Sequence, residues 1–400
     1  MLPISLLINF NFLFKENIEL STDLTYEFIE SIIKKHLTPV KVPKFAGVKT
    51  NKCLRVIYTD SHIAMETNAN GFGLYGGVWN EVQLNIRKRD LIKEIQNAFK
   101  IYGYFDEIHI IDLGDFMDGW DALTVRGGHD LPQNMDNEKA FDVGLSFKIE
   151  LIQEVVSLNI TSKIRSYNIC NDNHSGAFGY VVNSSAKTFL EAMFPTLVEV
   201  VNCRKFINHY FYGKHCFVLT HGKDDKHKKF GFKPVIDSNG VDKIKEYIDI
   251  NKLFRTADYI TFEKGDSHQQ LFDYTTSDDF DYLNYMALSP SSEWVQTNFK
   301  RGRSGFNLMV VHKNKKQKIN FIIMSETQKI GNYRYRILGL LMFATTINYF
   351  DRSIIGVMAP TLEKMFGWTN SDYANIMISF KIAYALGLLY MGGLIDRLGT

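Results

Sequence analysis

The chain has 400 residues, of which 45% are hydrophobic and 22% are charged, and its formal net charge is +2. This length suggests two or more folding units, and this composition argues against disorder over most of the chain. The small net charge excludes a global attraction to nucleic acid or to anionic membranes, so any such attraction must come from local patches. Four scattered cysteines without a CxxC spacing indicate reduced packing residues and a cytosolic compartment.

Residues 1–45 are predicted to form an N-terminal helical extension. The apolar start, residues 1–14, has no basic leader and no small-residue cleavage site, so it is interpreted as a buried or docking strand rather than a signal peptide. Residues 22–37 have the periodicity of an amphipathic helix that is capped by Ser21 or Thr22.

Residues 46–323 alternate short apolar strands with amphipathic helices, which predicts a layered α/β domain. The predicted strands are Leu54–Thr59, Glu107–Leu113, Ile164–Cys170, Cys216–Thr220, Tyr259–Glu263 and Phe306–His312. The predicted helices are Arg87–Tyr102, Glu138–Ser157, Ala186–Phe194 and Val241–Phe254.

Polar residues follow five of these strands at the point where each strand ends. They are Asp60 and His62, Asp115 and Asp118, Asn173 and His174, His221, and Asp266 and His268. In an open α/β sheet the ligand crevice lies outside the carboxyl ends of the strands, so these side chains are expected to meet. Carboxylate and imidazole groups are suitable ligands for Mn, Fe and Zn. The sequence therefore predicts a metal site at this edge.

Two divalent ions that share one carboxylate can clamp a phosphate during an in-line displacement, and hydroxide held between them would attack phosphorus. A further histidine that binds no metal would protonate the leaving alkoxide. We therefore expect two divalent ions as cofactors, with Mn favoured over Fe or Zn, and no organic cofactor.

The order of the motifs resembles that of the calcineurin-like metallophosphoesterase superfamily over about residues 50–312: Asp-x-His, Gly-Asp-x-x-Asp, Asn-His, His and x-x-His. This resemblance implies a β-sandwich flanked by helices. It also implies roles for individual residues: Asp60, His62 and His268 as ligands of a first metal, Asp115 as the bridging carboxylate, Asn173 and His221 as ligands of a second metal, and His174 as the catalytic histidine.

Two positions depart from the pattern of that superfamily. Ser175 follows His174 where the superfamily usually has a carboxylate, so the group expected to orient this imidazole is missing from its usual place. Asp266 stands where the final motif has its first histidine. Either Asp266 is an oxygen ligand of the second metal or that ligand is absent, and both outcomes shift the preference towards harder ions such as Mn.

Three further residues near these motifs have separate interpretations. Asp118 is interpreted as a loop or helix-cap residue rather than a metal ligand. Arg126 is a candidate substrate contact, because guanidinium matches the geometry of phosphate. His129 is interpreted as a loop residue.

Basic segments lie at His221–Lys229, Phe299–Arg303 and His312–Lys318. They are either solvated surface or a rim that attracts a polyanion such as nucleic acid. The expected function is hydrolysis of phosphate esters, with nuclease or exonuclease activity as a narrower form. A catalytically dead module that retains the fold is the alternative.

Residues 324–400 contain two long apolar runs, Arg336–Phe350 with its continuation to Pro360, and Tyr373–Ile395. These lengths predict two transmembrane helices, so residues 336–395 would contact the membrane if this segment inserts, whereas residues 1–323 are expected to be cytoplasmic.

The same segment resembles the start of a major facilitator superfamily transporter of the anion and sugar-acid kind. The residues that resemble it are NYFDR (348–352), APTLEKMFGW (359–368) and GGLIDRLGT (392–400). Two helices of about twelve cannot enclose a binding site at the bilayer midplane, so we expect this segment to transport nothing. It is interpreted as a transporter fragment that serves as an anchor or results from a gene fusion.

Overall fold

The computed structural model describes residues 39–42, 44–71, 77–231, 233–298, 303–315, 318–324 and 333–398. The chain divides into two compact units, Met1–Ser325 and Glu326–Thr400. The predicted helix at residues 22–37, the apolar start and most of the basic segment Phe299–Arg303 lie outside the described residues.

The first unit contains two mixed β-sheets. The first sheet has the order β11–β10–β1–β2–β3–β4 and consists of β1 (Lys52–Tyr58), β2 (Glu107–Asp112), β3 (Ile164–Ile169), β4 (Val198–Cys203), β10 (Gly305–His312) and β11 (Lys318–Met324). The second sheet has the order β5–β6–β7–β9–β8 and consists of β5 (Asn208–Tyr212), β6 (His215–Thr220), β7 (Tyr259–Lys264), β8 (Leu271–Asp273) and β9 (Asp281–Asn284). Strands β1 to β4 run parallel, as do β6, β7 and β9.

Helices connect these strands. They are α1 (Glu81–Tyr102), α2 (Asn137–Leu158), α3 (Gly176–Met193), α4 (Ser238–Ile250), a 3₁₀ turn (Leu253–Arg255) and α5 (Glu293–Asn298). The side chains of Asn80, Asp136 and Asp237 each accept a backbone N–H in the first turn of α1, α2 and α4, which defines where these helices begin.

Alternating side chains on the strands build separate apolar layers. On β1, Leu54 and Val56 belong to the cluster that packs against α1, α2 and α3. Ile57 points the other way and packs with Phe217 of the second sheet. Val218, adjacent to Phe217 on β6, packs towards α4. This period of two places one sheet on the other with helices outside, which confirms the predicted sandwich.

The second unit contains two long helices, α6 (Tyr333–Phe366) and α7 (Asn370–Leu398). Among the residues that the structure describes, neither these helices nor any other combines the length and apolarity that a membrane crossing needs. The two predicted transmembrane helices are therefore not supported. Charged residues interrupt both apolar runs, at Asp351 and Arg352 in α6 and at Lys381 in α7.

A buried ion pair joins the two sheets. The guanidinium of Arg55 on β1 meets both carboxylate oxygens of Glu263 on β7 at 2.6 Å, and both side chains are fully buried. Arg55 also donates through Nε to Tyr210 at 2.8 Å, and its guanidinium lies 3.5 Å from the ring centroid of Phe217. Tyr285 donates to Glu263 at 3.0 Å. Each charge therefore has the additional partners that a buried pair requires.

We expect Arg55→Leu to lower the free energy of unfolding by about 3–5 kcal/mol, because it leaves Glu263 buried without a counter-charge. Arg55→Leu combined with Glu263→Leu should cost less than Arg55→Leu alone, because no uncompensated charge remains. Urea unfolding monitored by circular dichroism measures both. Lys214→Leu, which breaks an exposed pair with Asp258, is the control and should cost less than about 1 kcal/mol. Equal losses in the single and double variants would contradict this account.

Candidate metal centre

Five loops at the carboxyl ends of parallel strands bring the predicted residues together. The loops follow β1, β2, β3, β6 and β7, and they carry Asp60 and His62, Asp115 and Asp118, Asn173 and His174, His221, and Asp266 and His268 respectively. Three groups of these side chains lie close enough to hold a metal ion: Asp60, His62 and His268; Asp60, Asp115 and His221; and His62, Asp115 and His174.

Five of these residues adopt the left-handed backbone conformation. They are Asp60 (φ 51°), His62 (φ 42°), Asp115 (φ 46°), Asp266 (φ 66°) and His268 (φ 54°). Non-glycine residues seldom adopt this conformation, and such strain typically concentrates at functional sites. Backbone hydrogen bonds support it, because the N–H groups of Asp60 and His62 donate to the carbonyls of Gly114 and Asp115, both at 3.0 Å.

The first donor group consists of Asp60, His62 and His268. The Nε2 atoms of the two histidines lie 3.2 Å apart, and Asp60 Oδ1 lies 3.3 Å from that of His268 and 3.8 Å from that of His62. A tetrahedral ion with bonds of about 2.0–2.2 Å spaces its ligand atoms by about 3.3–3.6 Å. Asp60 Oδ1 is buried and has no hydrogen-bond partner among the described residues. These donors therefore fit a divalent cation.

The second donor group surrounds His221 Nε2. It lies 3.1 Å from Asp115 Oδ2, 3.2 Å from Asn173 Oδ1 and 3.9 Å from Asp266 Oδ1. Asp115 Oδ2 is also 4.0 Å from Nε2 of His62 in the first group, so this carboxylate lies between the two groups. Three oxygen donors and one nitrogen donor make the second group richer in oxygen than the first.

Backbone and side-chain acceptors fix the imidazole tautomers. Nδ1 of His221 lies 3.0 Å from the carbonyl oxygen of Leu113, which can only accept, so Nδ1 carries the proton. When His221 is neutral, its Nε2 lone pair is therefore on the side of Asp115 and Asn173, where a cation could accept it. Such partners are typical of metal-binding histidines. Asp118 acts in the same way on His62, whose Nδ1 lies 2.8 Å from Asp118 Oδ1.

Asp118 also orients His174. Its Oδ1 lies 3.2 Å from Nδ1 of His174, so one carboxylate oxygen faces two imidazoles. Asp118 lies in the loop after β2 and belongs to none of the three groups of potential metal ligands, and its buried carboxylate contacts these two rings. The carboxylate that is missing after His174 is thus supplied from the loop after β2. The Gly-Asp-x-x-Asp spacing was the available signal for this role.

The imidazole of His174 is more exposed than that of His268, with side-chain exposures of 20% and 14%. Burial alone would lower the pKa of His174, but the charges of Asp115 and Asp118 outweigh burial and raise this pKa to about 9. His174 is therefore a cation at neutral pH. Its Nε2 lies 3.9 Å from Asp115 Oδ2 and beside the two donor groups.

Two positioning residues escaped the sequence analysis. The buried indole of Trp79 donates to the carbonyls of Ser61 and His62 at 2.9 and 3.1 Å, which holds the loop after β1. The buried carboxylate of Asp172 accepts the backbone N–H groups of Ser175 and Gly176 at 2.7 and 3.1 Å. No pattern in the sequence marks Trp79, whereas the polar residues before an apolar run could have indicated a cap at Asp172.

The turn that Asp172 holds before Gly176 accompanies a correction to the predicted helix Ala186–Phe194. The observed helix α3 begins at Gly176, ten residues earlier than predicted, directly after the site residues. Burial and the negative charge of Asp115 raise the pKa of the Asp172 carboxyl group to about 7.

Arg126 lies outside the two donor groups. Its backbone N–H donates to the carbonyl of Asn173 at 3.1 Å. Its Nη1 donates to the carbonyls of Asp224 and Lys228, both at 3.2 Å. The side chain thus fastens the loop after His221, and its contact with substrate stays a prediction. His129 is exposed in the same loop as Arg126.

No protein-family model matches the chain. Part of the chain is similar to sugar-acid transporters: it is 40% identical over 67 residues to a probable galactarate/D-glucarate transporter from Pseudomonas putida, which covers 17% of this chain and 15% of the transporter. The chain thus spans only a small part of the length of that curated relative.

Two solved structures are similar to most of the chain at low scores. One is Vps29 complexed with zinc from Entamoeba histolytica, at 9% identity and a TM-score of 0.29, covering 68% of this chain and 98% of that chain. The other is a predicted phosphoesterase from Streptococcus pneumoniae TIGR4, at 9% identity and a TM-score of 0.24, with the same coverage. TM-scores this low do not permit a transfer of fold or function.

We expect Asp118→Asn to weaken divalent-metal binding about 10- to 100-fold, because it removes the charge that orients His62. Competition with a chromogenic chelator measures this affinity for Mn and for Zn. Asp130→Asn, at an exposed position in the same connection between β2 and α2, is the matched control and should leave the affinity unchanged. An Asp118→Asn variant that binds both metals as tightly as the wild type would show that Asp118 is not needed to position a ligand.

Proposed function

We propose that the chain is a phosphoesterase that depends on two divalent metal ions. The observation that carries this proposal is the convergence of two adjoining donor groups on Asp115, beside a partly exposed and positively charged His174. Two ions that share one carboxylate are the recurring arrangement for in-line displacement at phosphorus. Residues 46–323 would form the catalytic domain.

Each donor group would hold one ion. Asp60, His62 and His268 would bind the first, and Asn173, His221 and Asp266 would bind the second, with Asp115 between them. When bound, the ions would supply the positive charge that activates water and neutralises the phosphate. The donor chemistry fits, because Asp60 Oδ1 is buried without a hydrogen bond among the described residues and lies 3.3 and 3.8 Å from Nε2 of His268 and His62, where a cation could bind all three atoms.

His174 would act on the substrate directly. The carboxylate of Asp118 holds its Nδ1, so Nε2 faces the opening of the site with a proton at neutral pH. From there Nε2 can donate a hydrogen bond to a phosphoryl oxygen and pass its proton to the leaving alkoxide. The backbone N–H of His174 donates to Asp115 Oδ1 at 3.0 Å, which fixes the distance between the acid and the bridging carboxylate.

The two positions should prefer different metals. Two imidazoles and one carboxylate suit Zn or Fe at the first position, whereas the oxygen-rich second position suits a harder ion such as Mn. The preference of the second position for a harder ion depends on Asp266, which offers an oxygen ligand where a histidine would offer a nitrogen ligand.

We expect the full chain to hydrolyse bis(p-nitrophenyl) phosphate when Mn is supplied and to lose this activity in excess EDTA. Asp115→Asn and His221→Ala should each lower kcat/KM by more than about 100-fold, because changes to the outer partners of metal ligands alone typically cost 10- to 100-fold. Release of p-nitrophenol at 405 nm (about the absorbance maximum of the phenolate) provides the measurement.

The matched control for this assay is Asp258→Asn. Asp258 is 55% exposed and directly precedes β7, at the end of that strand opposite the site. This variant should retain the wild-type rate. Equal activity in the wild type and in the Asp115→Asn and His221→Ala variants would show that the signal does not come from this site and would favour a catalytically dead module.

We expect Asp266→His to change the metal content of the chain. After equilibration with Mn in excess over Zn and removal of free metal, the variant should retain more Zn and less Mn than the wild type. Elemental analysis by mass spectrometry gives both numbers without an activity assay. Asp258→His is the control, since it adds an imidazole at an exposed position that precedes β7, at the end of that strand opposite the site. The same metal content in Asp266→His and the wild type would remove Asp266 from the second position.

A further inference from the structure

Two loops form a continuous border beside His174. The first, residues 119–131, is named here the Trp120 loop. Its Val125 N–H donates to the carbonyl of His174 at 3.4 Å, and its Arg126 N–H donates to that of Asn173 at 3.1 Å. The indole of Trp120 forms a T-shaped contact with Phe178 in the first turn of α3, with ring centroids 4.8 Å apart and an interplanar angle of 78°. The loop thus runs along the open side of the catalytic histidine.

The second loop, residues 222–230, is named here the basic loop, and it begins directly after His221. Arg126 joins it to the Trp120 loop through hydrogen bonds to the carbonyls of Asp224 and Lys228. The N–H of Asp225 donates to Asn171 Oδ1 at 3.4 Å, which adds a link to the loop after β3. The two loops therefore lie side by side at the carboxyl edge of both sheets.

The Trp120 loop exposes apolar side chains. Trp120 is 48% exposed, Leu123 is 41% exposed and Val125 is 38% exposed. An indole that is about half exposed and packed against Phe178 offers a flat apolar surface at low entropic cost. Such a surface next to a phosphate-cleaving centre suits a ligand that has both a flat apolar part and a phosphate.

The basic loop exposes positive charge. Lys226, Lys228 and Lys229 are exposed, and so are Arg204 and Lys205, which directly follow β4 at the same edge. Lys228 Nζ lies 6.0 Å from the ring centroid of Phe206, which places the two basic stretches next to each other.

Acidic residues only partly offset this charge. Asp224 is buried, accepts the N–H groups of Lys226 and Lys228 at 3.0 and 2.8 Å, and lies 4.0 Å from Arg126 Nη1. Asp225 is half-buried, and Asp121 and Asp130 are exposed on the Trp120 loop. The exposed acidic residues thus lie mainly on the Trp120 loop, whereas the exposed lysines lie on the basic loop.

We propose that this border binds single-stranded nucleic acid, with a base stacked on Trp120 and the backbone phosphates along the basic loop. The proposal rests on the proposed phosphoesterase function and names its substrate class. Stacking requires a base whose face is uncovered, which a single strand offers and the interior of a duplex does not. Several exposed cations in a row match a repeating polyanion better than a single phosphate group.

The test is the binding of a 5′-fluorescein-labelled dT12 strand to the full chain in EDTA, followed by fluorescence anisotropy. EDTA prevents cleavage, so the readout is independent of catalysis. Trp120→Ala should weaken binding about 5- to 150-fold, and Trp120→Phe should retain most of it, because a phenyl ring also stacks. Lys226→Gln combined with Lys229→Gln should reduce the slope of log Kd against log salt by about 1.4, because two backbone phosphates would no longer be neutralised by lysine.

Matched controls lie at the opposite edge of the second sheet. Phe254→Ala removes an aromatic ring that is 49% exposed, close to the value for Trp120, and Lys252→Gln removes an exposed charge beside it. Both variants should bind dT12 as the wild type does. The thermal unfolding temperature of each variant shows whether a loss of dT12 binding results from a loss of folding. If Trp120→Ala does not fold, the dT12 affinity of Trp120→Phe is compared with that of the wild type instead.

Three results would overturn the proposal: no binding of dT12 by the wild type, equal affinity of the wild type and Trp120→Phe and Trp120→Ala variants, or tighter binding of a 12-base-pair duplex or of an acidic phosphopeptide than of dT12. Binding of dT12 without any hydrolysis of bis(p-nitrophenyl) phosphate would instead reject the phosphoesterase and keep the nucleic-acid site. Hydrolysis without binding of dT12 would reject the nucleic-acid site alone.

Discussion

The site depends on the need to neutralise carboxylates that the fold buries together. Asp60, Asp115 and Asp118 are each at most 2% exposed. Although burial favours the neutral form of Asp60, the imidazoles of His268 and His221 lower its pKa to about 2. Burial opposes ionisation of Asp115 as well, yet His221 and His174 hold its pKa well below its usual range. The carboxylates therefore remain charged, and the strained loops direct these charges towards a common centre where a bound cation would compensate them.

The ion pair between the sheets helps to set the positions of the donor residues. Arg55 lies on β1, the strand that ends at Asp60, and Glu263 lies on β7, the strand that ends before Asp266 and His268. The first donor group takes its ligands from the loops after these two strands, which belong to different sheets. A bidentate pair buried between the sheets fixes their separation and register, because guanidinium and carboxylate meet in one geometry. The spacing of the donors thus depends on a contact outside the site.

The sequence was sufficient to predict the strands that end at site residues, because a short apolar run followed by a polar cluster marks both a strand and its carboxyl end. It was insufficient for Asp118, since the role of this residue depends on how the loop after β2 curls back towards His62. The early start of α3 was missed because its N-cap residue Ser175 makes no side-chain cap hydrogen bond, and the preceding turn is held by Asp172 within a segment of polar residues. Strands β4, β5, β8, β9 and β11 were not predicted, because their residues are partly polar or only half-buried and lack a uniform apolar run. The apolar runs after residue 335 predicted helices in the right place but not their relation to a membrane.

One oxygen atom connects the two functions of the site. Asp118 Oδ1 faces Nδ1 of His62 at 2.8 Å and Nδ1 of His174 at 3.2 Å, so it serves a metal-ligand candidate and the acid candidate at once. A cation on Nε2 of His62 would strengthen the Nδ1–H of that ring as a donor and draw more of the negative charge of Asp118 towards it. The Asp118 carboxylate would then stabilise the imidazolium of His174 less strongly, and the pKa of His174 would fall. Loading of the first position would thereby move this acid from about 9 towards neutral pH, where a general acid is most effective.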